Sequence, residues 1–260
     1  MTKLYQNISK TSWQHVGKWY GAIVGSSGHY FHKHVIMPGL WKLLKLDSKS
    51  SILDLACGNG VLAHNIPKNI YYQGIDIAQS LINIAKKTDN SPNHYYQIGD
   101  ITKPLNISKF DFTHTTIILA LQNIEHIKQV FRNANNHLVD DGKFVIVINH
   151  PYFRIPKQTS WGNDEVNKIQ YRRVNRYLSP LKIPITAHPG KKNDTDVTWS
   201  FHYPLSTYSQ ELFASGFVIQ RIEEWVSDKV SVGPAAKMEN TARQEFPLFM
   251  AILARKAIGC

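Results

Sequence analysis

Apolar positions along this chain follow two spacings in turn. From Trp13 to Leu46 they fall mostly three and four apart, at Trp13, Val16, Trp19, Tyr20 and Ile23, which predicts helix. Gly25-Ser26-Ser27-Gly28 interrupts the run. A second helical stretch, Tyr30 to Leu46, contains Pro38-Gly39, where a kink or restart is expected. Short apolar runs then alternate with helical segments. Strands are expected at 51–56, 70–76, 94–98, 110–118 and 143–149, with Asp141-Gly142 as the turn into the fifth. Helices are expected from about 60 to 66, after the second strand through Lys87, and over 125–138. This order argues for a parallel sheet covered on both faces.

Residues 150–204 break the alternation. They are rich in Pro, Tyr, Trp, His and Arg and hold neither period, and a segment this long is usually functional or carries small elements of its own. Ser206 is expected to cap a helix to Ser215 with Gly216 as its stop, and 217–225 and 247–255 read as two final strands. The helical block 1–46 reads as a cap on a domain spanning 47–260, with 150–204 inserted as a substrate lid. Residues 1–46 would form the lid's other side.

The chemistry concentrates after the first strand, in Asp54-Leu55-Ala56-Cys57-Gly58-Asn59-Gly60. Gly58 to Ala63 loosely fit a dinucleotide-binding fingerprint. A pyrophosphate, however, needs bare backbone N–H groups at a helix start, and the Asp54 carboxylate would repel it. The same carboxylate would attract an ammonium. The ligand expected is therefore nucleoside-like at one end and a cationic amino acid at the other, as S-adenosylmethionine is.

Here the chain resembles the class I S-adenosylmethionine-dependent methyltransferases, whose first motif ends a strand with an acid and continues through small, glycine-rich positions. The resemblance implies an α/β, Rossmann-like, seven-stranded and mostly parallel sheet with helices on both faces and its last strand antiparallel. Ala56 departs from the pattern, because glycine often stands there and a Cβ restricts a turn at positive φ. Pro204 to Tyr208, Glu223-Glu224-Trp225 and Phe246 to Phe249 are similar to a bacterial subgroup of the small-molecule type, for which no substrate is implied.

The remaining cofactor candidates follow strand ends. Asp76 either accepts the ribose hydroxyls or caps the next helix, and its pairing with the first motif favours the ribose. The resemblance puts Asp100 near the adenine amino group, with Ile101 and Ile77 against the ring. A plain Gly-Asp turn is the alternative for Asp100. Leu119 to Asn123 should run beside the sulfonium, and Gln122 faces substrate there. Ala56, Cys57, Gly58 and Gly60 form the turn itself, with Cys57 read as a packing residue. Tyr20 either closes over the methionine end or packs with Trp13 and Val16.

On the substrate side, His150 leaves the fifth strand. Its ordinary pKa near ~6.5 suits a general base, and the alternative is a histidine that anchors the insertion. His202 carries a weaker claim of the same kind. Arg154, Arg172 and Arg173 are candidates for a substrate carboxylate or phosphate, and Trp161, Tyr171 and Trp199 for an aromatic wall, with Tyr152 beside them.

Composition narrows the partners. Thirty Lys and Arg against 19 acids give a net charge of +11 over 260 residues, which favours anionic partners without choosing among them. The charge is diffuse, so a small aromatic or anionic substrate is expected ahead of nucleic acid. RNA or protein methylation and a catalytically silent cofactor-binding or interaction module are the competing functions. The motif for amino-group methylation of bases and the Pro-Cys pair for cytosine carbon-5 methylation are both absent from the sequence. No apolar run is long enough for a membrane span. Two cysteines, Cys57 and Cys260, make neither a disulfide framework nor a metal cluster, which predicts no metal and a reducing cytoplasm. Nothing in the sequence fixes an oligomeric state.

Overall fold

The structure is a computed structural model and describes residues 28–186 and 197–258. The expected helix from Trp13 to Ile23 lies outside these residues. The described chain opens on helix from Tyr30, winds through a π-turn at His32–Ile36 and continues as α1, Met37–Leu44. Pro38-Gly39 does not break it. Pro38, which has no N–H to give, stands in the first turn of α1 directly after the π-turn of one continuous helical run. The irregularity falls just before it, in the wider turn. Gly39 admits the Trp225 ring, since a Cβ there would lie 2.3 Å from Trp225 Cζ2.

Seven strands form one sheet: β1 (Ser51–Leu55), β2 (Tyr71–Asp76), β3 (His94–Ile98), β4 (Phe112–Ile118), β5 (Leu138–Asn149), β10 (Phe217–Trp225) and β11 (Phe249–Lys256). The order is β10-β11-β5-β4-β1-β2-β3. Strands β1 to β5 pair in parallel, while β11 runs antiparallel to both β5 and β10, so the last strand is the reversed one. The fold is the α/β, Rossmann-like one expected.

Helices α2 (Val61–Asn65), α3 (Gln79–Thr88), α4 (Ile127–His137) and α5 (Leu205–Ala214) connect the strands, and α6 (Ala236–Glu245) precedes β11. Consecutive side chains of a strand serve opposite faces. Ile52, Val145 and Val147 pack with α1, α2 and α3, whereas Leu53, Phe144, Ile146 and Ile148 pack with α4 and α5. Residues 30–44 are thus a layer of the sheet's own core, burying Ile36, Leu40 and Leu44 completely.

Several local expectations change. Asp141-Gly142 sits within β5 as a bulge, with Asp141 at φ +59° and a register shift against β4, because the strand begins pairing at Leu138 before the turn residues. Ser206 lies inside α5, whose N-cap is Pro204. The irregular insertion contains two antiparallel hairpins, β6 (Thr159–Asp164) with β7 (Ile169–Val174) and β8 (Leu181–Thr186) with β9 (Val197–His202). Helix α6 had no counterpart in the sequence reading.

Candidate active site

Turns after β1, β2, β3 and β4 line one side of a cavity of about 830 Å³. From the expected cofactor residues it gathers Ala56, Gly58, Asp76, Ile77, Asp100, Ile101 and Leu119. The turn after β1 is built from left-handed backbone: Ala56 at φ +57°, Gly58 at +58° and Gly60 at +82°. An alanine in that region costs roughly 1 kcal/mol. A Cβ on Gly60 would stand 2.9 Å from the Tyr96 hydroxyl, whereas one on Gly58 would meet nothing within 4 Å. The loop therefore presents bare backbone to open space at Gly58.

Asp76 latches this loop to β2. Its Oδ2 accepts the Gly58 N–H at 2.9 Å and its Oδ1 the Ala78 N–H at 2.8 Å, where Ala78 is the N-cap residue of α3. A carboxylate accepts about four hydrogen bonds, so a ligand can take the remaining ones. Burial raises the Asp76 pKa, opposed by those backbone donors. Asp100 closes a turn, its Oδ1 accepting from Thr102 N–H at 3.0 Å and Thr102 Oγ1 at 2.6 Å, while its Oδ2 lies 3.6 Å from Lys103 Nζ. Leu119 holds φ +52° and donates to Val147 O at 2.7 Å. Strain of this kind, of order 1–3 kcal/mol per residue, concentrates at functional sites.

Asp54 sits elsewhere. It is 3% exposed and absent from the cavity wall, and its oxygens accept from the Tyr72 hydroxyl and Thr116 Oγ1, each at 2.7 Å. Burial pushes its pKa up to about 6. This carboxylate, expected to face an ammonium, holds β1, β2 and β4 together beneath the turn through these two bonds. Cys57 also points inward, packing on Gly74, where a Cβ would lie 2.7 Å from its Sγ, and burial raises its thiol pKa. Gly60 shapes the turn from outside the cavity wall. Tyr20 lies outside the described residues.

The opposite side of the cavity comes from distant segments: His29 and Phe31 before α1, Gln122 after β4, Arg154 after β5, and Lys182 and Trp199 from the β8–β9 hairpin. Of the expected substrate-side residues Gln122, Arg154 and Trp199 are among them. Trp161 and Tyr171 lie on the β6–β7 hairpin, 42% and 47% exposed, and Trp161 packs on Phe246 and under the Arg172 guanidinium. Arg172 gives Nε to Phe153 O and a terminal nitrogen to Thr159 Oγ1, both at 2.8 Å. Arg173 bonds Asn175. Tyr152 rests edge-on against Phe153 and Tyr177. His202 is buried against Tyr177 O at 2.6 Å and lines a satellite chamber of about 30 Å³.

His150 lines that chamber too, not the main cavity. Its Nε2 lies 2.7 Å from Glu224 Oε1, and its Nδ1 accepts the Tyr152 and Phe153 N–H groups at 3.2 and 3.3 Å. An accepting Nδ1 requires the proton on Nε2, donated to Glu224. Burial lowers the ring's pKa, partly offset by Glu224. Both nitrogens are engaged, so the geometry is that of an anchor, and the base expected here has no free lone pair. His29, Phe31 and Lys182 escaped the sequence reading, since a lone residue in a helical or apolar run carries no local signal.

The methyltransferase-domain family matches residues 46–190, more than half of the chain. The chain belongs to that family. A methyltransferase of Mesorhizobium loti, S-adenosylmethionine-dependent, superposes with a TM-score of 0.64 at 24% identity, covering 84% of this chain and 96% of its own. Another from Clostridium acetobutylicum gives 0.60 at 19% identity, with 94% and 99% covered. A malonyl-[acyl-carrier protein] O-methyltransferase of Bacillus anthracis is 30% identical over 114 residues, which is 42% of this chain and 41% of that protein. S-adenosylmethionine is the cofactor of this methyltransferase fold. The residues present fit it: open backbone at Gly58, unspent carboxylate capacity on Asp76 and Asp100, and Ile77 exposed beside them.

Proposed function

We propose that this methyltransferase methylates a small aromatic or anionic molecule. The observation that carries this reading is that one cavity joins the cofactor turns to Gln122, Arg154, Trp199 and the His29–Phe31 segment. In this reading Asp76 takes the ribose hydroxyls, Asp100 the adenine amino group, Ile77 and Ile101 the ring faces, and Leu119 flanks the methionine end. Ala56, Cys57, Gly58 and Gly60 shape the cradle. When bound, the cofactor supplies a methyl group already activated by its sulfonium. The protein's part is then alignment: Gln122, fixed by its Nε2 on Leu119 O at 2.7 Å, and Arg154 orient the acceptor, and the insertion and the segment before α1 exclude water. Trp161, Tyr171, Tyr152, Arg172 and His202 support the insertion from outside the main cavity.

The setting we infer is a reducing cytoplasm, supported by the buried free thiol of Cys57. No helix among the described residues is long and apolar enough to cross a membrane. Incubation with methyl-labelled cofactor and a cell extract separated by molecular size tests the function. Label is expected in the small-molecule fraction. Label in RNA or protein would overturn the substrate class, and no label despite cofactor binding would favour a silent module.

A further inference from the structure

We infer that the acceptor is a carboxylic acid, bound through its carboxylate by Arg154 and methylated at another atom. This deepens the methyl-transfer reading and rests on it for the chemistry performed.

Three long cations line the cavity, and two are neutralised. Lys103 lies 3.6 Å from Asp100, and Lys182 lies 3.2 Å from Glu125 with its ammonium over the Trp199 and Phe201 rings. Arg154 pairs with no acid among the described residues, and its guanidinium donates no hydrogen bond there. Arg154 is exposed by surface area, the protein packed around it lowers its pKa, and a guanidinium stays charged in proteins. Arg172 stands close enough for Arg154 to depress its pKa as well, after burial. Two neighbouring guanidiniums with no acid paired to either among the described residues make a positive spot at the cavity that an anion can enter.

The loop carrying Arg154 is fixed in advance. His150 donates its N–H to Leu248 O and accepts the Arg154 N–H on its carbonyl, each at 2.9 Å, while its ring holds Tyr152, Phe153 and Glu224. His150 is thus a positioning residue for Arg154. Arg172 is held in place by its bonds to Phe153 O and Thr159 Oγ1 and does not line the main cavity, so Arg154 is the guanidinium that faces it. One planar fork matches a carboxylate, whereas a phosphate dianion would call for a second free cation. A carboxylate gripped this way has one lone pair on each oxygen engaged and its charge stabilised, which makes it a poorer nucleophile. It therefore anchors, and the methyl goes to another group. Trp199, Phe31 and Phe249 wall the same cavity, so the probe of choice is an aromatic acid.

The test uses benzoate, phenylacetate and naphthoate, with benzamide and phenyl phosphate as controls, titrated by calorimetry into protein saturated with S-adenosylhomocysteine. At least one carboxylate should bind saturably to the wild type. Its affinity should fall about tenfold or more in Arg154→Met, the size of a lost charge-assisted hydrogen bond, and less in Arg154→Lys. Benzamide should bind at least tenfold more weakly than benzoate. S-adenosylhomocysteine affinity, measured first in every variant, reports folding and keeps the two readings separate: its absence sinks the cofactor reading, not the anion site. Absence of saturable binding by all three carboxylates, equal binding by Arg154→Met, or a preference for phenyl phosphate would overturn the inference. So would a base-labile methyl ester as the product of the labelled-extract reaction, because the carboxylate should survive it.

Discussion

The two sides of the cavity are built on different principles. On the cofactor side, polar groups are largely satisfied before any ligand arrives: Asp76 holds the Gly58 and Ala78 N–H groups, and Asp100 holds Thr102. Local chain geometry makes this side, through three left-handed residues in one turn. On the insertion side the wall is assembled from residues far apart in sequence, from His29 to Phe249, and its central cation has no partner among the described residues. The first side is a preformed cradle for a constant ligand. The second is held in place by anchors such as His150 and Arg172, so that one group, Arg154, stays available to a variable one.

The contrast is sharpest at Asp54, the deepest support of the cradle. Asp54→Ala would strip the acceptor from the buried Tyr72 and Thr116 hydroxyls, and unfolding in urea should show a loss of about 3 kcal/mol or more. A loss under about 1 kcal/mol would mean that the network does not carry the turn. Its titration supplies a second reading. The folded pKa of about 6 lies above the ordinary 3.8, so this group's contribution is fully present below about 3.8 and is lost as pH rises through about 6. Stability of the wild type relative to Asp54→Asn should therefore decline over that window, by on the order of 3 kcal/mol. A flat difference from pH 4 to 7 would show that Asp54 is not raised.

On the other side, His150→Ala should weaken binding of an aromatic carboxylate by roughly tenfold, a charged-partner hydrogen bond's worth, with S-adenosylhomocysteine affinity unchanged. The pH profile of turnover should keep its wild-type shape. Loss of a rising limb near neutral pH would restore His150 as a base. The smallest effect belongs to Ala56→Gly, which removes a left-handed Cβ and should raise stability by about 0.5–1 kcal/mol in thermal or urea unfolding. Destabilisation would show that the methyl packs usefully.

The same contrast decided what could be read from sequence. The turn after β1 announces itself because a strand, an acid and small residues must be contiguous to make it, and β2 and β3 follow at strand ends by the same logic. Sequence locates Asp54 at the end of a strand without showing that the buried Tyr72 and Thr116 hydroxyls donate to it. The β6–β7 hairpin stayed hidden because its pattern is inverted: Ile169 and Tyr171 face solvent while Gln170 and Arg172 are half-buried. No apolar alternation then survives. Asp141-Gly142 carries turn chemistry and sits instead in a bulge, because pairing of Leu138 with Phe112 extends β5 past it. Arg154 was named beside Arg172 and Arg173, and only packing separates the free guanidinium from the two that brace the insertion.

Calorimetric titration of S-adenosylhomocysteine into wild type, Asp76→Ala and Arg154→Met tests the central division most directly. Asp76→Ala should weaken binding by about 1.5–3 kcal/mol, the range for hydrogen bonds to a charged group, and Arg154→Met should leave it within about twofold. Unchanged affinity in a folded Asp76→Ala protein, or an equal loss in both variants, would contradict a cavity with one side for the cofactor and the other for its acceptor.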